Sequence, residues 1–260
     1  MTQISFMTAN YVAREVGYAM HGWGHGDRAT NDAFAPLATY SEKLHQLLGG
    51  IADLGFRAVD VWGAHLNPDW ATDEHVDIAV ETLRRHDLEV TSYATWIGAS
   101  NVERSCELAL ALGTPLIGAG FSGDAGQLAQ VLEKYGVRLG IENHPERTPQ
   151  ELLEKVAAGG DRFGATVDTG WWGTQGYDAA RAIEELGDRV WHVHLKDVLA
   201  LDEPHETCRW GEGIVPIEEC VRTLRRLGYS GAIAVEHEPE TFDPTDDVRA
   251  MRGQLEGWLA

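Results

Sequence analysis

Short apolar runs alternate with amphipathic segments along the chain, and the pattern repeats eight times. The apolar runs are rich in Val and Ile, and most of them lack polar alternation, which is typical of strands that are buried on both faces. We predict eight strands, at residues 4–10, 58–62, 89–94, 116–119, 138–143, 165–169, 190–195 and 232–236.

The segments between these strands have helical periodicity. In the first of them, one stripe carries Leu44, Leu47, Leu48, Ile51 and Leu54. Thr148 followed by Pro149 resembles a helix start, and Gly113, Gly136, Gly187 and Gly228 stand where helices should end. We predict helices at 41–54, 73–85, 101–112, 127–135, 149–158, 177–186, 216–227 and 244–259.

Strands that alternate with helices imply parallel pairing and right-handed crossovers. Eight such units in 260 residues predict an α/β protein, a single (β/α)8 TIM barrel with one domain over residues 1–260. A doubly wound open sheet is the rival fold, but no GxGxxG follows the first strand.

The longest predicted loop, 198–215, follows the seventh strand. Because loops at the carboxyl ends of barrel strands build active sites, we expect a wall or lid here. Its polar and aromatic residues are Asp202, Glu203, His205, Glu206, Arg209 and Trp210.

The chain is strongly acidic, with 41 Asp and Glu against 21 Lys and Arg and a formal net charge of -20. Such a chain repels phosphate backbones and anionic membranes, so we expect neither a nucleic-acid nor a membrane partner. No apolar run has membrane-spanning length, and the first residues do not resemble a secretion signal. A cytoplasmic protein with isolated, reduced cysteines is the expectation.

Charged residues stand at the ends of four consecutive predicted strands. They are Glu142, Asp168, His194 and Glu236. Strand ends meet at one mouth of a barrel, and three carboxylates converging there would repel each other without a cation. Carboxylates with one imidazole suit a divalent metal, Mn²⁺ first, with Mg²⁺, Co²⁺ or Zn²⁺ as alternatives.

These strand ends resemble the xylose-isomerase-like barrel superfamily of sugar isomerases and epimerases, which includes ketose 3-epimerases and inosose dehydratases. Each motif alone is weak, but their order and spacing over the chain are specific to the superfamily. The segments that carry the resemblance are 140–144, 167–169, 192–197, 211–213 and 234–236.

The resemblance implies that Glu142, Asp168, His194 and Glu236 bind the metal, and that the two glutamates exchange protons with the substrate. The chain departs from the ketose 3-epimerase pattern, which has a His where Trp171 stands and an Arg shortly after the metal-binding His. His194 to Asp197 looks more like the inosose dehydratase branch. Relatives of this kind are commonly dimers or tetramers, so a homodimer or homotetramer is also implied.

Side chains two apart on a strand share a face, which places further residues near the metal. His144 and Lys196 are candidate catalytic groups at the mouth, although Lys196 could instead pair with Asp197 or another acid. His192 lies deeper, as a buried support, a direct metal ligand or a candidate substrate contact. We expect Glu238 to be a solvated charge.

Tryptophans are numerous and cluster near the predicted mouth, where sugar rings could pack on them. We predict substrate contacts for His65, Trp96, Trp171, His192, Arg209 and Trp210. Few basic residues lie nearby, which favours an unphosphorylated sugar or glycoside. The glycine-rich segment 21–27 is expected to be a loop.

The preferred function is a metal-dependent sugar isomerase or epimerase that works by proton abstraction through an enediolate. The alternative is a lyase of the same superfamily that performs β-elimination on a 3-keto-glycoside or inosose. A non-catalytic sugar-binding barrel and a metal-dependent DNA-repair endonuclease are weaker readings, the latter because of the acidic charge.

Overall fold

The computed structural model describes residues 2–201 and 205–260. Eight parallel strands form the barrel, and they are β1 (Gln3–Met7), β2 (Ala58–Trp62), β3 (Glu89–Ala94), β4 (Leu116–Ala119), β5 (Arg138–Glu142), β6 (Phe163–Asp168), β7 (Val190–Leu195) and β10 (Ala232–Val235). They lie in the order β1-β10-β7-β6-β5-β4-β3-β2, and β1 pairs with β2 to close the barrel. This confirms the predicted fold.

Helices surround the barrel, and eight of them lie where the periodicity predicts them. Helix α6 begins after Thr148, whose side chain accepts a hydrogen bond from the Glu151 backbone N–H, and α5 ends at Gly136 with a φ of 70°. The helices are α1 (Trp23–Phe34), α2 (Leu37–Asp53), α3 (Asp73–Arg85), α4 (Val102–Ala111), α5 (Ala125–Tyr135), α6 (Pro149–Ala158), α7 (Thr169–Thr174), α8 (Ala179–Leu186), α9 (Ile217–Arg226) and α10 (Thr245–Leu259). In the described part of the chain, no helix combines the length and apolar character needed to cross a membrane.

Three local predictions are wrong. Segment 21–27 is not a loop throughout, because α1 begins at Trp23. Within α1, Gly26 packs so tightly that an added Cβ would lie 2.5 Å from the backbone oxygen of Val12. The first strand, predicted over 4–10, ends at Met7, where a 3-10 turn over Thr8–Tyr11 begins. The sixth strand, predicted to reach residue 169, ends at Asp168, because the short α7 begins at Thr169.

Below the mouth, five of the barrel strands carry buried polar side chains. Ser5, Asp60, Ser92, Thr166 and His192 are all fully buried. The β2–β3 register shifts at Val59 and Asp60 because Val59 pairs with Val90 and Asp60 with Ser92. The skipped residue, Thr91, donates its hydroxyl to Asp60. The bulge therefore adds a donor to the barrel interior at the level of a buried acid.

The loop after β7 forms a small hairpin, in which β8 (Asp197–Val198) pairs antiparallel with β9 (Thr207–Cys208). Residues 202–204 of the predicted lid, among them Asp202 and Glu203, lie outside the described residues. The remainder of the loop packs beside the mouth, where the Thr207 hydroxyl contacts the His237 ring at 3.0 Å and accepts the Glu238 backbone N–H at 3.1 Å.

A single buried carboxylate organises this loop. Asp197 Oδ1 accepts the backbone N–H groups of Val198 and Val215 at 2.9 and 3.0 Å, and Oδ2 accepts those of Gly211 and Gly213 at 3.0 and 3.2 Å. Four backbone donors satisfy both oxygens of the buried carboxylate. Asp197 therefore does not pair with Lys196, an alternative that the sequence left open.

We expect Asp197→Asn to lower the free energy of unfolding by about 3 kcal/mol, because an amide NH2 would then face two backbone donors. Urea unfolding followed by circular dichroism measures the change. Glu212→Gln is the matched control, since Glu212 is an exposed acid of the same loop. Equal stability of the two variants would contradict the role of Asp197.

Candidate active site

Four neighbouring strands bring acidic and imidazole side chains to the carboxyl end of the barrel. Glu142 ends β5, Asp168 ends β6, and His194 lies on β7 in register with both Asp168 and Ala234. Glu236 comes directly after Val235, the last residue of β10. Parallel strand ends thus gather the four residues that the sequence singles out as metal ligands.

His194 lies between the two glutamates. Its Nδ1 is 2.6 Å from Glu142 Oε1 and 3.6 Å from Glu236 Oε2. One ligand atom from each of these three residues lies within 4.8 Å of the other two. A second group with the same property consists of Glu142, His144 and Asp168, so Glu142 is common to both.

Asp168 has both carboxylate oxygens occupied by donors. Oδ1 accepts the backbone N–H of Trp171 at 2.9 Å and caps the start of α7. Oδ2 lies 3.0 Å from His144 Nε2 and 3.1 Å from Lys196 Nζ. Asn143 holds the backbone of Asp168 through two hydrogen bonds, of 2.7 and 3.0 Å. The orientation of this carboxylate is thus fixed from several sides.

Lys196 is buried among three carboxylates. Its ammonium lies 3.1 Å from Asp168, 3.3 Å from Glu236 and 3.0 Å from Glu238. The expectation that Glu238 is a solvated charge is wrong, because its side chain is only 8% exposed and pairs with this lysine. Burial disfavours the charged amine, but the three surrounding carboxylates raise the pKa of Lys196 well above its usual value.

The two glutamates have different electrostatic surroundings. Burial raises the pKa of Glu236 to about 8, against the opposing effects of Lys196 and His194. Burial acts in the same direction on Glu142, but the imidazoles of His144 and His194 hold the pKa of Glu142 below its usual value. Two similar side chains therefore differ in proton affinity.

These residues fit a divalent cation. Glu236 Oε2 is buried and receives no well-directed hydrogen bond, although Lys196 Nζ lies 3.3 Å away. The Glu142 carboxylate and one imidazole nitrogen of His194 converge with it, and the resulting set of two carboxylates and one imidazole is one that hard and borderline divalent ions accept. Asp168 adjoins this set through Lys196 and His144.

A further buried acid, Asp60, lies one layer below and escaped the sequence analysis. Its Oδ2 contacts Nε2 of His192, and lies 3.2 Å from Nε2 of His194. His192 is fully buried in this layer, which makes it a support beneath His194 in this structure. The signal was present in the sequence, because Asp60 stands in the middle of the apolar strand 58–62, where an unpaired charge is costly.

His144 and Trp171 border the site on the side of β5 and β6. The centroids of their rings are 4.6 Å apart, and the Trp171 ring lies 4.7 Å from His205 of the loop. His205 Nδ1 in turn contacts the Thr174 hydroxyl at 2.5 Å. The His144 side chain is 38% exposed, so it borders both the buried carboxylates and the opening.

The other predicted substrate contacts lie apart from this cluster. His65 is buried against Phe34 and Trp62, and burial lowers the pKa of His65 to about 3. Trp96 is 56% exposed beyond β3, where its ring covers Gly120. Within residues 2–201 and 205–260, the hydrogen bonds and ring contacts of His65 go to Thr8, Phe34 and Trp62, and none goes to the four predicted ligands.

Arg209 and Trp210 lie where the loop packs against α10. Arg209 approaches Asp247 of α10 at 3.9 Å. Trp210 is buried, stacks on Trp258 with centroids 5.8 Å apart, and donates its indole N–H to the Leu195 backbone oxygen at 3.2 Å. Trp210 thus braces the end of β7, and its substrate contact stays a prediction.

The structure is similar to several solved barrels. It matches the probable 3-DHS dehydratase AsbF, involved in petrobactin synthesis, from Bacillus anthracis, with 15% identity, a TM-score of 0.71 and coverage of 98% of this chain and 99% of that one. An L-ribulose 3-epimerase has 15% identity and a TM-score of 0.71 over 100% and 95% of the two chains. A D-allulose 3-epimerase from Methylomonas sp. has 14% identity and a TM-score of 0.68 over 98% of each. These likenesses show a shared fold.

Sequence comparison gives a partial relative and a family. The uncharacterized protein MJ1311 of Methanocaldococcus jannaschii is 31% identical over 121 residues, which span 43% of this chain and 41% of that protein. The family model described as "Xylose isomerase-like TIM barrel" matches residues 49–258. The match covers β2 to β10 with all four predicted metal ligands, and the chain belongs to the xylose isomerase-like TIM barrel family.

Proposed function

We propose that this protein is a divalent-metal-dependent isomerase or epimerase that abstracts a proton beside the carbonyl of an unphosphorylated sugar or keto-sugar. The observation that carries the proposal is the approach of two carboxylates, Glu142 and Glu236, to His194 Nδ1 at 2.6 and 3.6 Å from strands on opposite sides of β7. Two carboxylates around one point can serve two sides of a reacting carbon.

The proposed metal ligands are Glu142, Asp168, His194 and Glu236, with Mn²⁺ as the preferred ion and Mg²⁺, Co²⁺ or Zn²⁺ as alternatives. A cation bound there would stabilise the negative charge that develops on the substrate oxygens when the neighbouring C–H bond breaks. Burial of Asp168, His194 and Glu236 supports this assignment, because buried charges of this kind need a partner of opposite sign.

In the proposed reaction, one of the two glutamates, in its carboxylate form, accepts the proton from carbon. The C–H electron pair forms a carbon–carbon double bond, and the carbonyl π pair moves onto the carbonyl oxygen to give an enediolate. The other glutamate, in its protonated form, delivers a proton to the opposite face of the same carbon, which re-forms the carbonyl and gives an epimer. Delivery to the neighbouring carbon, with the hydroxyl proton passing between the two oxygens, gives an isomer. Microscopic reversibility lets the two glutamates exchange roles in the reverse direction.

Lys196 and His144 are proposed to hold the substrate oxygens. Both already donate to Asp168, at 3.1 and 3.0 Å, and both carry N–H groups that can hydrogen-bond a carbonyl or hydroxyl. Trp171 borders His144 and offers an aromatic face to the C–H side of a sugar ring. Three carboxylates surround Lys196, which leaves little attraction for a phosphate dianion.

The second candidate is a lyase that performs β-elimination on a 3-keto-glycoside or inosose. The position of His144 and Lys196 beside the carboxylates favours it, because either residue could protonate a departing oxygen. A glutamate would take the proton beside the keto group, the electron pair would form the double bond, and the β-carbon–oxygen bond would break. The leaving oxygen would receive its proton from His144 or Lys196.

Solvent hydrogen exchange separates these reactions. We expect protein with Mn²⁺ in D2O to place deuterium on carbon in a substrate chosen from ketohexoses, inososes and 3-keto-glycosides, because the abstracted proton exchanges with solvent. Mass spectrometry measures the label. A product whose mass equals that of the substrate plus deuterium indicates an epimer or isomer. A product that has lost the mass of a β-substituent indicates elimination. Conversion without any label contradicts proton abstraction followed by exchange.

Glu236→Gln should lower kcat by about 10³-fold or more, because an amide can neither accept the carbon-bound proton nor deliver one. Turnover of the substrate identified by exchange is the measurement. Glu240→Gln is the matched control, since Glu240 is an exposed glutamate four residues later. Retention of more than a tenth of wild-type kcat in the Glu236 variant would remove its role in proton transfer.

His194→Ala should weaken Co²⁺ or Mn²⁺ binding by at least about tenfold, because it deletes the imidazole ligand. Calorimetric titration of the metal-free chain measures the Kd. His45→Ala is the control, as it removes an exposed imidazole outside the barrel. Equal affinity in the two variants would refute ligation by His194.

A further inference from the structure

Asp60 is buried inside the barrel and receives four contacts from donors on three other strands. Its Oδ1 accepts the hydroxyl of Ser5 at 2.9 Å and the hydroxyl of Thr91. Its Oδ2 faces Nε2 of His192 and, at 3.2 Å, Nε2 of His194. A carboxylate with both oxygens occupied in this way acts only as an acceptor.

This arrangement determines where the hydrogens of His194 lie. An acceptor at Nε2 requires that Nε2 carry a proton, which leaves Nδ1 as the nitrogen that could bind a cation. In the metal-free chain Nδ1 donates to Glu142, and a bound cation would take the place of that proton. Nδ1 is also the nitrogen that faces Glu142 and Glu236. Asp60 therefore contacts Nε2 of the His194 ring from below, and Glu142 and Glu236 approach Nδ1 of the same ring from above.

We propose that Asp60 is a positioning residue that holds His194 with Nε2–H directed into the barrel and Nδ1 directed at the cation site. This inference rests on the proposed function for the identity of the ligand set, but concerns a residue outside that set. Carboxylates commonly orient metal-binding histidines through the second ring nitrogen, and losing such a partner typically weakens metal binding by about 10–100-fold.

His192 has a supporting part in this arrangement. It shares Asp60 Oδ2 with His194 from the position two residues earlier on β7, and the two rings are perpendicular with centroids 5.2 Å apart. Its contact with Asp60 stops that carboxylate from turning away from His194. The β2–β3 bulge supplies the Thr91 hydroxyl to Oδ1, the carboxylate oxygen that does not face the imidazoles.

The test uses the full chain with Asp60→Ala, Asp60→Asn and the control Thr91→Val. Thr91→Val removes one hydroxyl from Asp60 Oδ1 and leaves both imidazole contacts intact. Co²⁺ affinity is measured by calorimetry, and thermal unfolding of the metal-free proteins is recorded in parallel. The ring N–H signals of ¹⁵N-histidine-labelled, metal-free protein report which nitrogen of His194 carries hydrogen.

We expect Asp60→Ala to weaken Co²⁺ binding by about 10–100-fold and to abolish the solvent-protected Nε2–H signal of His194. Asp60→Asn keeps an oxygen acceptor but loses the charge, so it should retain the signal and weaken binding by about tenfold. If Asp60→Ala does not fold, the Co²⁺ affinity of Asp60→Asn alone tests the positioning role of Asp60. Thr91→Val should change affinity less than about threefold, even where its melting temperature falls.

A Co²⁺ Kd within twofold of wild type in Asp60→Asn, or a wild-type His194 protonated at Nδ1 alone, would overturn the proposal. Lower melting temperatures in the Asp60 variants with unchanged metal affinity would also overturn it, because they indicate a purely structural role. If wild-type protein binds no divalent metal, the proposed function fails. The metal-free ring N–H signals still test the positioning of His194 in that case.

Discussion

Several carboxylates buried at the mouth of one barrel require positive charge at the same place. The ammonium of Lys196 lies near three of them, Glu236, Asp168 and Glu238. The fourth, Glu142, lies near the imidazoles of His144 and His194. The rest of the site follows from this shortage of positive charge. Buried like charges are tolerated only with partners of opposite sign, and a divalent cation is the partner that this donor set suits best.

Strand β7 and the residue after it place positive or hydrogen-bonding groups at three successive levels of the barrel, because residues two apart on a strand point the same way. His192 contacts Asp60 inside the barrel, and His194 contacts the two glutamates at the mouth. Lys196, directly after the last strand residue Leu195, contacts the acids above them. One strand thereby connects the polar interior of the barrel to its opening. The loop that follows is held by Asp197, whose carboxylate is used entirely by backbone donors and so adds no free charge to the site.

The barrel and its mouth could be predicted because they depend on local patterns. Strands such as 116–119 and 190–195 are apolar runs with the predicted bounds, and Glu142 and Glu236 were visible as charges at the ends of such runs. Helix α1 could not be predicted, since its Gly26 is explained only by close packing on Val12 and Met20. The pairing of Glu238 with Lys196 spans 42 residues and likewise depends on tertiary geometry.

Asp60 could be predicted only in part. A charge inside the apolar strand 58–62 was a visible signal, but its partners come from strands far away in the sequence.

The most direct test of the metal-centred site is anomalous diffraction from a crystal grown with Mn²⁺. We expect one ion bound by Glu142, Asp168, His194 Nδ1 and Glu236. An ion located instead between Asp60 and His192, or no ion at the barrel mouth at saturating Mn²⁺, would contradict it.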